Sequence, residues 1–222
     1  MKRYRGAIFD MDGILFDTER IFQQTWREIA AEMGLTLGDD FTRAICGTSG
    51  DTTRQVVERF FHVEDGTEIM LEVPARVRDR LSKSVPVKPG VPEILQYFRA
   101  AGLRVAVASS SARAQIESNL RLTGLGEYFD AIVSGEDVSH GKPDPEIFLL
   151  AADAIECDPA LCFVFEDSQN GVVAGRAAGC DTVMVPDQVQ PAPEIAALCF
   201  RICDDMGAAL RDIREIMEQA PQ

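Results

Sequence analysis

Two pairs of acidic residues, each directly after a short apolar run, are the side chains of this sequence best placed to do chemistry. Asp10 and Asp12 follow the run at residues 7–9, and residues two apart on an extended chain project to the same side. Glu166 and Asp167 follow a second such run. If both runs are parallel strands, the four carboxylates meet at the carboxyl edge of one sheet, where open α/β sheets bind ligands.

Four carboxylates at one edge repel one another unless a positive charge compensates them. A divalent cation would do so, and carboxylate oxygens favour a hard ion such as Mg²⁺. We therefore expect Glu166, Asp167 or both to hold Mg²⁺ together with Asp10. Asp167 also stands where a helix N-cap is expected, and that structural interpretation stays open for this residue.

Two further segments carry groups that bind phosphoryl oxygens. The triplet Ser109-Ser110-Ser111 follows the apolar run Leu103–Ala108, and hydroxyl and backbone N–H groups at a strand end bind phosphate. A serine triplet before a helix is also a common N-cap. Lys142 lies in the segment 141–145, whose two prolines stiffen the loop and can present its ammonium as a fixed positive charge.

The composition restricts the classes of partner. The chain has 222 residues, with 36 acidic and 22 basic side chains and a net charge of −14, so its mean field repels nucleic acid and anionic membranes. No apolar run approaches the roughly 20 residues of a membrane span. Six cysteines without a C-x-x-C pair fit a reducing compartment. We expect a cytoplasmic protein, a monomer or small homo-oligomer, that binds neither nucleic acid nor membrane.

Short apolar runs separated by helix-length amphipathic segments indicate how these groups are positioned. Such alternation predicts an α/β fold with a doubly wound parallel sheet. The predicted strands are Ala7–Phe9, Leu103–Ala108, Ala131–Val133, Leu161–Phe165, Thr182–Val185 and Cys199–Cys203.

A stretch of about four helical segments interrupts this alternation after the first strand and contains no convincing strand. It predicts a smaller all-α cap domain at residues 17–85, inserted into a core domain formed by residues 1–16 and 86–222. Within the cap, Pro74 is expected to kink or restart the last helix.

In this order, the four segments resemble the haloacid dehalogenase superfamily of hydrolases, in the subfamily with a helical cap after the first strand. The resemblance is carried by D-x-D-G-x-x-x-D-S/T at residues 10–18, a strand-end hydroxyl at Ser109, G-K-P-x-P at 141–145 and E-D-S-x-x-G at 166–171. One such motif is weak, but four in order, each behind an apolar strand, are specific.

The resemblance implies a role for each of these residues. Asp10 is the expected nucleophile and Asp12 the general acid and base. The phosphoryl group is expected to bind Ser109, Ser110 and Lys142. The expected Mg²⁺ ligands are Asp10, Asp12 through its backbone carbonyl, Glu166 and Asp167.

The function implied is a Mg²⁺-dependent phosphatase that hydrolyses a small phosphorylated metabolite, a sugar or polyol phosphate, through an aspartyl-phosphate. The alternative is a sugar phosphomutase similar to β-phosphoglucomutase, whose cap carries a histidine where Phe22 stands. The segment 46–51, aligned with the specificity loop, contains no arginine, although Arg43 and Arg54 lie nearby. Both departures favour hydrolysis. Candidate specificity residues are Phe22, Gly47, Thr48, Ser49 and Arg54.

Three other functions fit the sequence less well. Dehalogenation does not need the second aspartate, Asp12. A phosphonatase would need a cap lysine as a Schiff base, and Lys83 and Lys88 are poorly placed for that role. A non-catalytic binding protein on the same fold would have little reason to keep four crowded acids.

Overall fold

The computed structural model describes residues 3–45, 48, 50–187 and 190–219. The chain divides into two compact units, a core unit of Met1–Asp17 with Pro86–Gln222 and a cap unit of Thr18–Val85.

The core unit is built on a sheet whose strands pair in parallel throughout the described residues. The strands are β1 (Gly6–Phe9), β2 (Arg104–Ser109), β3 (Ala131–Ser134), β4 (Cys162–Glu166), β5 (Asp181–Met184) and β6 (Arg201–Ile202). Their order is β3-β2-β1-β4-β5-β6. Strand β1 therefore lies between β2 and β4, and Phe9 pairs in register with Val107 and Phe165. This sheet confirms the predicted α/β class.

Helices cover both faces of this sheet. The core helices are α5 (Val91–Ala100), α6 (Arg113–Thr123), α7 (Glu146–Ala154), α8 (Gln169–Ala177), α9 (Pro193–Ala196) and α10 (Met206–Glu218), and the cap helices are α1 (Thr18–Glu32), α2 (Asp39–Ile45), α3 (Gly50–Phe61) and α4 (Thr67–Leu81). On one face, Ile8, Ala106 and Val164 are buried against α7 and α8. Among the described helices, none is long and apolar enough to cross a membrane.

Stacked aromatic rings occupy the other face and fix the strand ends that carry the acids. Phe9 at the end of β1 stacks on Phe165 of β4, with ring centroids 4.5 Å apart and an interplanar angle of 11°. Phe98 of α5 packs edge-on against Phe9 at 6.0 Å. Such pairs add about 0.5–1.5 kcal/mol beyond the burial of their area. The residues that follow β1 and β4 are thereby held side by side.

The regular secondary structure in the described residues of the cap unit is all helical, and the unit has its own aromatic centre. Trp26, Phe41 and Phe61 lie 5.6–6.0 Å apart between ring centroids. Pro74 was expected to kink or restart the last helix. A restart is wrong, because α4 runs through the proline, and a kink stays a prediction. One face of α4 is buried both before and after the proline, at Val73 and Val77 among others. This packing stabilises the helix although proline lacks the N–H for one backbone hydrogen bond.

Candidate active site

The turn that follows β1 brings its two aspartates to the carboxyl edge of the sheet. The backbone N–H of Asp10 donates to the carbonyl of Phe165 at 3.0 Å, which extends the pairing of β1 with β4 by one residue. Gly13 then turns the chain with φ +84°, and a Cβ on it would lie 2.2 Å from Asp167 Oδ2. Only glycine permits both this φ and this close approach. Asp10, Asp12 and Asp167 are thus gathered at one edge.

Lys142 is the positive charge at this edge. Its Nζ donates to Asp10 Oδ1 at 2.5 Å and to Glu166 Oε1 at 2.5 Å. The Lys142 side chain is 8% exposed and lies 4.9 Å above the ring of Phe148. The loop therefore places this ammonium inside the site, bound to two carboxylates, rather than in solvent.

Glu166 is held more tightly than the other acids. Its side chain is 1% exposed, and its Oε2 accepts from both the backbone N–H and the hydroxyl of Ser168 at 2.9 Å. Ser168 also caps α8, because its Oγ accepts from the N–H of Gly171 at 3.0 Å. The N-cap interpretation left open for Asp167 is therefore wrong, because Ser168 takes that position.

Burial sets the protonation of this cluster. Burial, with the neighbouring charges of Glu166 and Asp12, raises the pKa of Asp10 to about 7, although Lys142 acts in the opposite direction. Burial alone would lower the pKa of Lys142, but Asp10 and Glu166 outweigh it and raise that pKa. Burial and the charges of Glu166 and Asp10 also raise the pKa of Asp167 to about 9. The Lys142 ammonium thus compensates the negative charge of these carboxylates only in part.

A fifth acid, which the sequence analysis missed, lies close to this cluster. The charge of Asp187 contributes to the raised pKa of Asp167. Asp187 Oδ1 forms an ion pair with Lys88, while its Oδ2 is buried without a hydrogen-bond partner in the described part of the chain. Its position after β5, the strand next to β4, is the signal that could have found it.

The serine triplet lies at the end of β2, beside the aspartates. Ser109 is buried, and its Oγ accepts from the N–H of Ser111 at 3.1 Å; its own hydroxyl hydrogen remains available to donate. Ser110 is exposed. Ser111, which was not among the predicted site residues, donates from Oγ to Asp12 Oδ2 at 2.9 Å. The segment therefore places the Ser109 hydroxyl at the carboxyl edge of the sheet, and the Ser111 hydroxyl binds Asp12.

The donor set at this edge suits Mg²⁺. Among the described residues, no three acidic, histidine or cysteine side chains already form a complete metal site. Mg²⁺ does not require one, because it binds through one or two carboxylates and keeps several waters. Asp10 is buried and Asp167 is half-buried. Their carboxylates repel each other, and a divalent cation would relieve that repulsion.

The predicted specificity residues belong to the cap unit. Phe22 is half-buried on α1. Thr48 shares a hydrogen bond with Thr53 at 3.0 Å. Arg54 forms ion pairs within α3, at 3.2 Å to Asp51 and 3.1 Å to Glu58. The remaining two, Gly47 and Ser49, lie outside the described residues. A role in specificity stays a prediction for all five.

Comparisons with known proteins identify relatives over most of the chain. The family model of the haloacid dehalogenase-like hydrolases matches residues 7–185, a span that contains all four motifs. The phosphorylated carbohydrates phosphatase of Thermotoga maritima is 33% identical over 179 residues, 80% of this chain and 83% of that protein. The fructose-1-phosphate phosphatase YqaB of Escherichia coli K12 is 36% identical over 188 residues, 83% of this chain and 97% of that protein.

A solved structure of the same family is similar to this chain over nearly its whole length. A HAD family hydrolase from Deinococcus radiodurans R1, with bound phosphate and sodium, superimposes with a TM-score of 0.84 at 27% identity and covers 98% of each chain. The likeness therefore includes both the core and the cap portions of the chain.

Proposed function

Because this chain belongs to the haloacid dehalogenase-like hydrolase family, we propose that it is a phosphatase acting on a small phosphorylated sugar or polyol through an aspartyl-phosphate. The observation that carries the proposal is the position of Lys142, whose ammonium lies 2.5 Å from both the Asp10 and the Glu166 carboxylates. A fixed cation beside a buried carboxylate lets an anionic nucleophile approach an anionic phosphate ester.

In the proposed reaction, Asp10 is the nucleophile. One of its carboxylate oxygens forms a bond to phosphorus in line with the ester oxygen, and the bond between phosphorus and that ester oxygen breaks. Lys142 and the hydroxyl of Ser109 stabilise the negative charge on the phosphoryl oxygens. Ser110, exposed at the same strand end, offers a further hydroxyl donor to the phosphate.

Asp12 transfers the proton in both half-reactions. It donates a proton to the departing alcohol and then takes one from the water that attacks the aspartyl-phosphate, which releases phosphate and restores Asp10. The two aspartates therefore have different tasks, as their different partners suggest. Asp10 contacts an ammonium, whereas Asp12 accepts from a serine hydroxyl.

Asp10, Asp167 and the backbone carbonyl of Asp12 are the groups we propose to hold Mg²⁺. When bound, the ion neutralises charge on the phosphoryl oxygens. Both carboxylate oxygens of Glu166 already accept hydrogen bonds from protein groups, so Glu166 is proposed to position Lys142 rather than to bind the ion directly.

The substrate class rests on the sequence relatives. One is named a phosphatase of phosphorylated carbohydrates and the other a fructose-1-phosphate phosphatase. Because the net charge is −14, the mean field of the protein repels an anionic substrate. The phosphate must therefore be held by local groups of the site.

The direct test is phosphate release from a panel of sugar, polyol and nucleotide monophosphates, first with Mg²⁺ and then with a chelator. We expect release from sugar or polyol phosphates, and its loss under chelation. Equal release under chelation would contradict the metal assignment. Interconversion of a sugar 1-phosphate and its 6-phosphate that outpaces phosphate release would replace hydrolysis by the mutase reaction.

A further inference from the structure

We propose that Ser111 is a positioning residue that fixes the orientation of Asp12 for proton transfer. The inference rests on the proposed function, in which Asp12 is the general acid. Its basis is one contact: Ser111 Oγ donates to Asp12 Oδ2 at 2.9 Å across 99 residues of sequence.

The backbone around Ser111 is fixed before its side chain reaches Asp12. Its N–H donates to Ser109 Oγ at 3.1 Å, and its carbonyl accepts from the N–H of Gly135 at 3.2 Å. A Cβ on Gly135 would lie 2.4 Å from the carbonyl oxygen of Ser110, so the loop after β3 (Ala131–Ser134) packs closely on this turn. Ser111 is therefore a rigid support for the carboxyl group it contacts.

The contact also distinguishes the two oxygens of Asp12. A hydroxyl has one hydrogen to donate, and Ser111 gives it to Oδ2. As long as Oδ2 accepts this hydrogen bond, the contact favours Oδ1 as the oxygen that carries the proton for the leaving group. Without this hydrogen bond, the carboxyl group of Asp12 loses one constraint on its orientation, and fewer encounters have the geometry that proton transfer requires.

Two substrates with different leaving groups separate this role from a structural one. A sugar phosphate loses an alcohol that needs a proton as it leaves, whereas p-nitrophenyl phosphate loses a phenolate that is stable as an anion. The ratio kcat/KM reports only the steps up to formation of the phosphoenzyme. An effect on Asp12 as acid therefore lowers kcat/KM for the sugar phosphate and spares it for p-nitrophenyl phosphate.

The variants are Ser111→Ala, Ser111→Cys and Ser111→Thr. We expect Ser111→Ala to lower kcat/KM about tenfold for the sugar phosphate and less than about twofold for p-nitrophenyl phosphate. Ser111→Thr keeps the hydroxyl and should restore most of the loss. Ser111→Cys replaces the hydroxyl with a weak donor of similar shape, and should reproduce the selective loss if the alanine variant does not fold.

Ser118→Ala on α6 is the matched control, because Ser118 lies on the helix that follows the triplet. Within the described part of the chain, its hydroxyl accepts one hydrogen bond, from Arg121 at 3.4 Å. We expect it to leave both substrates unchanged. Equal losses of kcat/KM for both substrates in the Ser111 variants, or no loss for either, would overturn the proposal. A wild-type protein that releases phosphate from neither substrate would instead refute the proposed function, and the role of Ser111 with it.

Discussion

Gly171 lies directly against the carboxyl group of Glu166: a Cβ on Gly171 would come 1.9 Å from Glu166 Oε1. Glu166 has no room to yield, because it is buried and bound by both Lys142 and Ser168. The first turn of α8 therefore needs a glycine at this position to leave space for the carboxylate that holds the lysine.

Gly171→Ala is expected to disturb both stability and catalysis. The added methyl group must displace Glu166 or the start of α8, and overpacking of this kind costs about 1–3 kcal/mol of unfolding free energy. Because Glu166 holds Lys142, kcat should also fall by about tenfold or more. Urea unfolding and steady-state kinetics measure the two effects.

Gly126→Ala is the matched control for that variant. A Cβ on Gly126 meets Leu120 only at 3.8 Å, an ordinary contact distance, so its unfolding free energy should stay within about 0.5 kcal/mol of wild type. If Gly171→Ala behaved like Gly126→Ala, the close packing on Glu166 would have no energetic consequence.

Lys142→Met should remove the ammonium that forms ion pairs with both Asp10 and Glu166. Breaking a buried ion pair by removing one partner costs about 3–5 kcal/mol, and losing a donor to the reacting phosphate costs about 10²–10³-fold in kcat. Because the orphaned carboxylates can take up protons, the loss of stability should be smaller at low pH. Unfolding curves at several pH values check this.

Lys83→Met provides the comparison, since Lys83 is exposed and pairs with Asp79 on the surface of the cap unit. We expect it to change the unfolding free energy by less than about 1 kcal/mol. A Lys142 variant as stable and active as the Lys83 variant would show that the ion pairs of Lys142 contribute little.

Stabilisation by Mg²⁺ should increase with pH. The pKa of Asp10 is raised to about 7 and that of Asp167 to about 9, against 3.8 for an ordinary aspartate. In the metal-free protein, these two groups contribute stability that is complete below pH 3.8 and is lost as pH rises through 7 and 9. Mg²⁺ needs the ionised carboxylates, so it competes with these protons and binds better as pH rises.

Melting temperatures with and without MgCl₂, measured from about pH 5 to about pH 9, test this coupling. The shift in Tm should grow across the range, and Asp167→Asn should lose most of it. A shift that is the same at every pH, or that persists in Asp167→Asn, would contradict the assignment of these carboxylates to the ion.

The core strands could be read from the sequence because they are buried on both faces. Apolar runs then mark them directly, and the observed β4 differs from the predicted strand by one residue at each end. The last strand was predicted across 199–203, but only Arg201 and Ile202 pair. That strand lies at the sheet edge with one neighbour, so fewer of its residues are held in the ladder.

Most residues of the candidate site could be predicted from the sequence, but Asp187, Ser111 and the contacts between side chains could not. Strand ends and motifs located Asp10, Asp12 and Lys142, because parallel strands bring their carboxyl ends to one edge. In the loops that follow these strands, tertiary packing decides which side chains contact each other, and local sequence patterns do not show it. Ser111 with Asp12 and Lys88 with Asp187 are both 99 residues apart in sequence, and the sequence analysis found neither pair.

The central claim is that Asp10 becomes phosphorylated during turnover, and acid quenching of the enzyme while it hydrolyses a sugar phosphate tests this most directly. Peptide mass spectrometry should find a hydroxylamine-sensitive phosphoryl group on the peptide that contains Asp10. Asp10→Asn should carry none, turn over at least about 10³-fold more slowly and still fold. The exposed control Asp153→Asn should match wild type in phosphorylation, turnover and folding. Turnover by Asp10→Asn near the wild-type rate, or phosphate found on another residue, would contradict the account.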